Sequence, residues 1–165
     1  MLRVCWLLAV HLLFLSILSA QTTIYVVRHA DRAPGNDDPP INETGQQRAK
    51  ALARFLTDAP LTAIYVTEAV RTQQTAAPTA ATHHLRPVIV DAKDTTSLMR
   101  RIRQEVPAGK SALVVGHRAT VPVIVQALGG GAVPPLGSSE VDRLTAVTCW
   151  PDGRCALQSF RYGPE

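Results

Sequence analysis

Aromatic residues and cysteines are scarce in this chain, and charged residues are few. Of its 165 residues, 5% are Phe, Trp or Tyr, 18% are charged and 3 are Cys. So few aromatic side chains leave no stacking platform for nucleic-acid bases. The net charge of +4 comes from basic residues scattered along the chain rather than from a basic tail. We therefore predict no nucleic-acid partner.

Clusters of metal-ligating side chains are also missing from the sequence. Carboxylates, histidines and cysteines do not recur at the spacing that zinc or magnesium sites use. The adjacent pair His83 and His84 falls late on a predicted helix, where neighbouring side chains point apart. A solvated helix end is the favoured interpretation of this pair, so we expect no metal and no cofactor.

Only one long apolar run occurs, at the start of the chain. Val4 to Leu18 follows Arg3 and precedes Ser19-Ala20. A short basic start, an apolar core and small residues before a polar one are typical of a secretory signal peptide. We predict a signal over residues 1–20, one domain over 21–165, and an exported protein, periplasmic or extracellular. An uncleaved membrane anchor is the alternative.

The two remaining cysteines flank a turn sequence. Cys149 and Cys155 lie on either side of Trp150-Pro151-Asp152-Gly153-Arg154, in which Pro-Asp-Gly favours a tight turn. In a hairpin with this turn the two cysteines fall opposite each other. A disulfide is favoured in an exported protein, with two free thiols or half of a zinc site as the alternatives.

Strand-like and helix-like segments alternate through most of the domain. Apolar runs end at Arg28, Val66, Val90 and Val115, and each is followed by helical periodicity. Asn42 and Thr67 are predicted to cap the helices that follow the first two strands. The last two predicted strands, Leu144 to Cys149 and Cys155 to Phe160, form a hairpin instead. This pattern predicts an α/β fold, a three-layer sandwich with a mainly parallel central sheet and an antiparallel C-terminal hairpin at one edge.

Basic residues follow two of the apolar strands. Arg28-His29 ends the first strand and His117 ends the strand that begins at Ser111. Ligands bind at the carboxyl ends of parallel strands, so both histidines should meet at one edge. Arg71, one turn into the helix after the second strand, can reach the same place. Guanidiniums, imidazoles and a helix amino terminus together predict a phosphate pocket.

Four segments in order resemble the histidine phosphatase superfamily, also called phosphoglycerate mutase-like. They are Arg28-His29-Ala30, the segment from Ile41 to Ala49, the segment from Ile64 to Ala76, and Val114-Val115-Gly116-His117. The resemblance implies a phosphoglycerate mutase-like fold and a metal-independent phosphoric monoester hydrolase. His29 would be the nucleophile that forms a phosphohistidine, while Arg28, Arg71 and His117 would hold the phosphoryl oxygens.

Three features are less well defined by this resemblance. Arg32 is either a further phosphate contact or a residue that anchors its loop. The acid that protonates the leaving group is unassigned, with Asp31, Glu68 and Asp94 as candidates near predicted strand ends. The carboxylates of Asp37 and Asp38 are assigned to solubility, although a loop beside the pocket could also cover it or supply an acid.

The sequence shows no large insertion that could build a cap, so the pocket should be open. We therefore predict a small-molecule or glycolipid phosphate, outside the cytoplasm, as the substrate. One alternative from the same superfamily is a protein phosphohistidine phosphatase. Another is a catalytically weak module that binds a phospholigand. The oligomeric state is not readable from the sequence.

Overall fold

A computed structural model describes residues 21–35 and 37–163. The predicted signal segment and its cleavage near Ala20 therefore lie outside the described residues. Among the helices that are described, none is long and apolar enough to cross a membrane.

Ten regular elements follow one another along the described chain. The strands are β1 Thr22–Arg28, β2 Leu61–Thr67, β3 Val88–Val90, β4 Ser111–Gly116, β5 Arg143–Cys149 and β6 Cys155–Arg161. The helices are α1 Glu43–Phe55, α2 Val70–Thr82, α3 Thr95–Glu105 and α4 Thr120–Ala127. The strands end within one residue of the positions predicted from the sequence.

Short side chains start two of the helices. Asn42 caps α1 by accepting a hydrogen bond from the backbone N–H of Gly45, and Asp94 caps α3 by accepting one from Ser97. The cap predicted at Thr67 was wrong. Thr67 is the last residue of β2, and α2 begins after Ala69, which supplies no capping side chain.

The six strands form one sheet in the order β3-β2-β4-β1-β5-β6. The four strands β3, β2, β4 and β1 are parallel, while β5 and β6 run antiparallel at one edge. The predicted sandwich with a C-terminal hairpin is thereby confirmed. The topology also places the ends of β1 and β4 side by side in the middle of the sheet.

Each face of the sheet buries its own core. Val26 and Tyr65 face α3 and α4, where they pack with residues such as Ile124. Val27 and Ile64 face the opposite side, which α1 and α2 cover. Both faces of the central strands are buried, which accounts for their nearly continuous apolar sequences.

The two cysteines pair across the hairpin as predicted. Cys149 lies opposite Cys155 in the β5–β6 register, and their sulfur atoms form a disulfide. Gly153 adopts a φ of 84° in the connecting turn, a conformation that glycine accepts at little cost. The disulfide therefore closes the tip of an already tight hairpin.

Gly45 allows α1 to lie against the segment that leaves β1. A Cβ atom at this position would clash with the carbonyl oxygen of Asp31 and would lie 2.9 Å from Cβ of Ile41. We expect Gly45→Ala to lower the free energy of unfolding by about 2 kcal/mol, because backbone must move to relieve the clash.

Urea unfolding followed by circular dichroism measures this loss. Gly137→Ala is the matched control, since a Cβ there would make only an ordinary contact at 3.6 Å with Glu140. Equal stability of the two variants would contradict the proposed role of Gly45.

Candidate active site

The ends of β1 and β4 bring two histidines together. Arg28 is paired with Gly116 in the parallel register, and the backbone N–H of His29 donates to the Gly116 carbonyl at 2.9 Å. The ring centroids of His29 and His117 are 5.5 Å apart in an edge-on arrangement. The structure thus places both predicted histidines at the same edge of the sheet.

The ring of His29 is held in one orientation with a defined proton position. Nδ1 lies 2.9 Å from the carbonyl oxygen of Ala30. Because a carbonyl oxygen only accepts, Nδ1 carries the hydrogen and Nε2 keeps its lone pair. The side chain is only 5% exposed, so this orientation is fixed by packing as well as by the hydrogen bond.

Burial also keeps His29 neutral. It lowers the pKa of His29 to about 4, and the positive charges of Arg28 and Arg71 act in the same direction. The hydrogen bond to the Ala30 carbonyl opposes this shift. Burial is therefore the larger cause of the lowered pKa, and the guanidiniums add to it.

One buried hydroxyl joins α2 to the segment after β1. Thr75 accepts a hydrogen bond from the Ala30 N–H at 2.9 Å and donates one to the Arg71 carbonyl at 2.7 Å. Thr75 is fully buried. This connection ties the backbone of Arg71 to the backbone next to His29.

His117 contacts β2 and α2 at once. Its Nε2 lies 3.0 Å from Oγ1 of Thr67, and its Nδ1 lies 3.5 Å from Nη2 of Arg71. A guanidinium can only donate, so Nδ1 accepts and the Nε2–H donates to the hydroxyl. Burial and the charge of Arg71 lower the pKa of His117, which favours this neutral form.

Arg71 divides its hydrogen bonds between two partners. One side of the guanidinium reaches His117, and Nη1 on the other side forms a 2.9 Å ion pair with Oδ1 of Asp38. The same carboxylate accepts from the Val70 N–H at 2.9 Å and so occupies the amino end of α2. Asp38 thus caps α2, the role that was predicted for Thr67.

Arg28 makes hydrogen bonds through one guanidinium nitrogen, while a second nitrogen makes none to the described residues. Its Nη1 donates to the backbone carbonyls of Gly137, Ser138 and Glu140. Its Nε is buried and has no partner within the described part of the chain. Partial burial and the nearby cations Arg118 and Arg32 lower the pKa of Arg28. Arg28 therefore lies among other positive charges, and its Nε–H donor is not satisfied by the described residues.

Arg32 and Arg118 are both exposed, and their charges act on Arg28. The backbone of Arg32 forms an isolated antiparallel bridge with Ile41. The backbone bridge fits the interpretation of Arg32 as a residue that anchors its loop, whereas the phosphate contact stays a prediction.

The three candidate acids differ in their surroundings. Asp31 forms a 2.7 Å ion pair with Arg48, and Asp94 caps α3, where hydrogen bonds from Ser97 lower its pKa. Glu68 is exposed and close enough to raise the pKa of His117. Of the three, Glu68 has the surroundings most compatible with proton donation.

An apolar groove of about 610 Å³ opens at the amino end of β1, on the side of the sheet away from the two histidines. Thr22, Met99 and Trp150 are among its lining residues, and Arg103 is the one charged residue in the part of the lining that the structure describes. It contains none of the predicted site residues, so we place the chemistry at the carboxyl edge. Within residues 21–35 and 37–163, no group of three or more His, Cys, Asp or Glu could hold a metal ion.

Sequence reasoning missed two residues that shape the site and misjudged a third. Thr67 was interpreted only as a helix cap, Thr75 was not singled out, and Asp38 was assigned mainly to solubility. Their roles depend on partners 30 or more positions away, such as Thr67 with His117 and Asp38 with Val70. The only available signal was the position of Thr67 and Thr75 within the segment that resembles the superfamily.

Comparison with protein families gives one match. Residues 24–93 match the model described as "Histidine phosphatase superfamily (branch 1)". The matched range contains Arg28, His29 and Arg71, whereas His117 lies beyond it. This finding confirms the resemblance predicted from the sequence. No curated protein sequence shows significant similarity to the chain.

Solved structures agree with this fold. The protein histidine phosphatase SixA complexed with tungstate superimposes with a TM-score of 0.68 at 20% identity, over 86% of this chain and 97% of that one. Mycobacterial glucosyl-3-phosphoglycerate phosphatase superimposes with a TM-score of 0.66 at 12% identity, over 88% of this chain and 100% of that one. Bacillus stearothermophilus YhfR superimposes with a TM-score of 0.61 at 17% identity, over 87% of this chain and 98% of that one. The matching folds thus include phosphatases of the same compact size.

Proposed function

We propose that this chain, which matches the histidine phosphatase superfamily over residues 24–93, hydrolyses phosphomonoesters through a phosphohistidine at His29. The observation that carries the proposal is the state of His29. Its ring is buried and neutral, and its Nε2 lone pair is left free by the hydrogen bond from Nδ1 to Ala30. A buried, neutral imidazole among guanidiniums is suited to attack an anionic phosphoryl group.

The reaction takes place in two steps. Nε2 of His29 attacks phosphorus, and the bond from phosphorus to the leaving oxygen breaks as that oxygen takes up a proton. Water then attacks the phosphohistidine, releases inorganic phosphate and restores the imidazole. Arg28 and Arg71 offset the charge of the transferring group, the neutral His117 turns its Nε2–H from Thr67 to a phosphoryl oxygen, and Arg32 attracts the anion from the rim.

Glu68 is our choice for the proton donor among the three candidate acids. Asp31 is held by Arg48, and Asp94 serves the α3 cap. Glu68 follows β2 directly, at the same sheet edge as His117. Substrates with good leaving groups need little protonation, so replacing Glu68 should affect alkyl phosphates more than aryl phosphates.

The expected place of action is outside the cytoplasm. Two observations support it: the signal-like run over residues 1–20, and the disulfide between Cys149 and Cys155. A small-molecule or glycolipid phosphate in that compartment remains the proposed substrate class.

Protein phosphohistidine is a second candidate substrate. The chain covers 97% of the length of the protein histidine phosphatase SixA, so the two proteins are similarly compact. Both candidates use the same nucleophile and differ only in what is presented to the pocket.

Steady-state hydrolysis of p-nitrophenyl phosphate by residues 21–165 in the presence of EDTA tests the proposed activity. Turnover that survives EDTA is expected, because the transferring charge is met by guanidiniums. A panel of sugar phosphates, glycolipid phosphates and a phosphohistidine protein then separates the two candidate substrates. Phosphate binding without any turnover would instead favour a binding module.

The neutral state of His29 should be visible directly. Since its pKa is lowered to about 4, the ring is neutral above that pH and becomes protonated only below it. We expect an NMR titration to give a midpoint near pH 4 for the signal that disappears in His29→Asn. A midpoint near the ordinary histidine value of about 6.5 would contradict the burial argument. NMR is preferred to a rate profile, because phosphomonoesters themselves titrate near pH 6.

A further inference from the structure

The carboxylate of Asp38 lies where an anion would bind at the amino end of α2. Oδ2 accepts from the Val70 N–H at 2.9 Å, and Oδ1 pairs with Nη1 of Arg71 at 2.9 Å. Ala69, at the N-cap position, offers no side-chain acceptor to this helix. Asp38 reaches these donors from 32 and 33 positions away, so the contact exists only in the folded chain.

The donors that hold Asp38 are of the kind that hold phosphate. A helix amino terminus and a guanidinium together form a common oxyanion site. Arg71 also contacts His117, and the charge of Asp38 is close enough to act on that imidazole. The carboxylate therefore lies against the groups to which we assign the phosphoryl oxygens.

We infer that Asp38 competes with the substrate's phosphate group for Arg71 and thereby sets the affinity of the site for phosphate. The inference rests on the proposed function and deepens it. In the substrate-free protein Asp38 partly neutralises Arg71, and a bound phosphoryl group takes over that guanidinium. The same competition helps product phosphate to leave.

A purely supporting role for Asp38 predicts the opposite behaviour. If its carboxylate only orients Arg71 for phosphate, removing the charge weakens phosphate binding. If it competes, removing the charge strengthens binding. The sign of the change therefore separates competition from positioning.

Asp38→Asn is the informative substitution, because asparagine keeps a side-chain oxygen for the Val70 N–H while it removes the negative charge. Asp37→Asn is the matched control. Asp37 is the exposed neighbour on the same loop and makes none of the contacts made by Asp38. Both substitutions change the net charge of the chain by the same amount.

Isothermal titration with inorganic phosphate measures the effect on the chain from residue 21 onward. We expect Asp38→Asn to bind phosphate about threefold to fivefold more tightly than wild type, the range that partly exposed ion pairs support. KM for p-nitrophenyl phosphate should fall by a similar factor. The gain in phosphate affinity should be lost when Arg71→Ala is combined with Asp38→Asn.

Unchanged or weaker phosphate binding by Asp38→Asn would overturn the inference, as would an equal gain in Asp37→Asn. Failure of wild type and Asp38→Asn alike to bind phosphate would also overturn it. Tighter phosphate binding in a protein without turnover would support the inference and count against the proposed activity. Turnover together with unchanged phosphate binding by Asp38→Asn would support the proposed activity and overturn the inference.

Discussion

Replacing His29 with alanine or asparagine is expected to lower turnover by about four orders of magnitude or more, because no other described group at this edge can take its place as nucleophile. His117 cannot substitute, since its nitrogens are engaged by Thr67 and Arg71. Asparagine is the more informative change, as it occupies similar space without a nucleophilic nitrogen. Turnover of p-nitrophenyl phosphate measures the loss.

The same prediction can be tested by trapping the intermediate. Wild type that is denatured during turnover should carry one phosphoryl group, which mass spectrometry would locate on the peptide containing His29. The label should be stable to alkali and lost in acid, as phosphohistidine is. His84→Ala is the control, since His84 is an exposed histidine beyond the far end of α2. Label on another residue, or full turnover by His29→Asn, would exclude the proposed mechanism.

Arg71→Ala should have the second largest effect, a fall in kcat/KM of about 10²- to 10³-fold. Its guanidinium contacts His117 and is held near His29 by the Thr75 connection, so it is placed to meet the charge of the transferring group. Arg71→Lys should recover only part of the loss, because an ammonium cannot offer two parallel donors.

Arg86→Ala provides the control for lost positive charge. Arg86 is exposed and precedes β3, at the edge of the sheet opposite the pocket. Its substitution should leave kcat/KM within about twofold of wild type, as expected for a surface charge remote from the site. If the two alanine variants lose activity equally, Arg71 acts only through overall charge and not through the site.

Local patterns in the sequence were enough to predict most of the secondary-structure elements and the main candidate site residues. Apolar runs followed by helical periodicity predicted β1, β2, β4 and the helices after them, because side-chain spacing depends on local backbone geometry. The positions of His29 and His117 followed from one topological rule, that parallel strands present their carboxyl ends at the same edge. The disulfide followed from a turn sequence that sets the hairpin register.

Local patterns failed where the partner is distant in sequence. Thr67 looked like a helix cap because it precedes a helical segment, yet the chain uses Asp38 for that purpose and turns Thr67 towards His117. Asp31 was one of three candidate acids, and its ion pair with Arg48, which bears on that choice, could not be read from the local sequence. Each of these pairs joins residues that only packing brings together.

By itself, then, the sequence determined the α/β order, the histidine-bearing strand ends and the hairpin that carries the disulfide, since these depend on spacing, turn chemistry and strand direction. Only the tertiary structure decided how His29 becomes neutral and which carboxylate faces Arg71. Burial, the main cause that lowers the pKa of His29 to about 4, exists only in the folded chain. The Asp38–Arg71 pair requires two distant segments to be packed together, and no local pattern in the sequence encodes that.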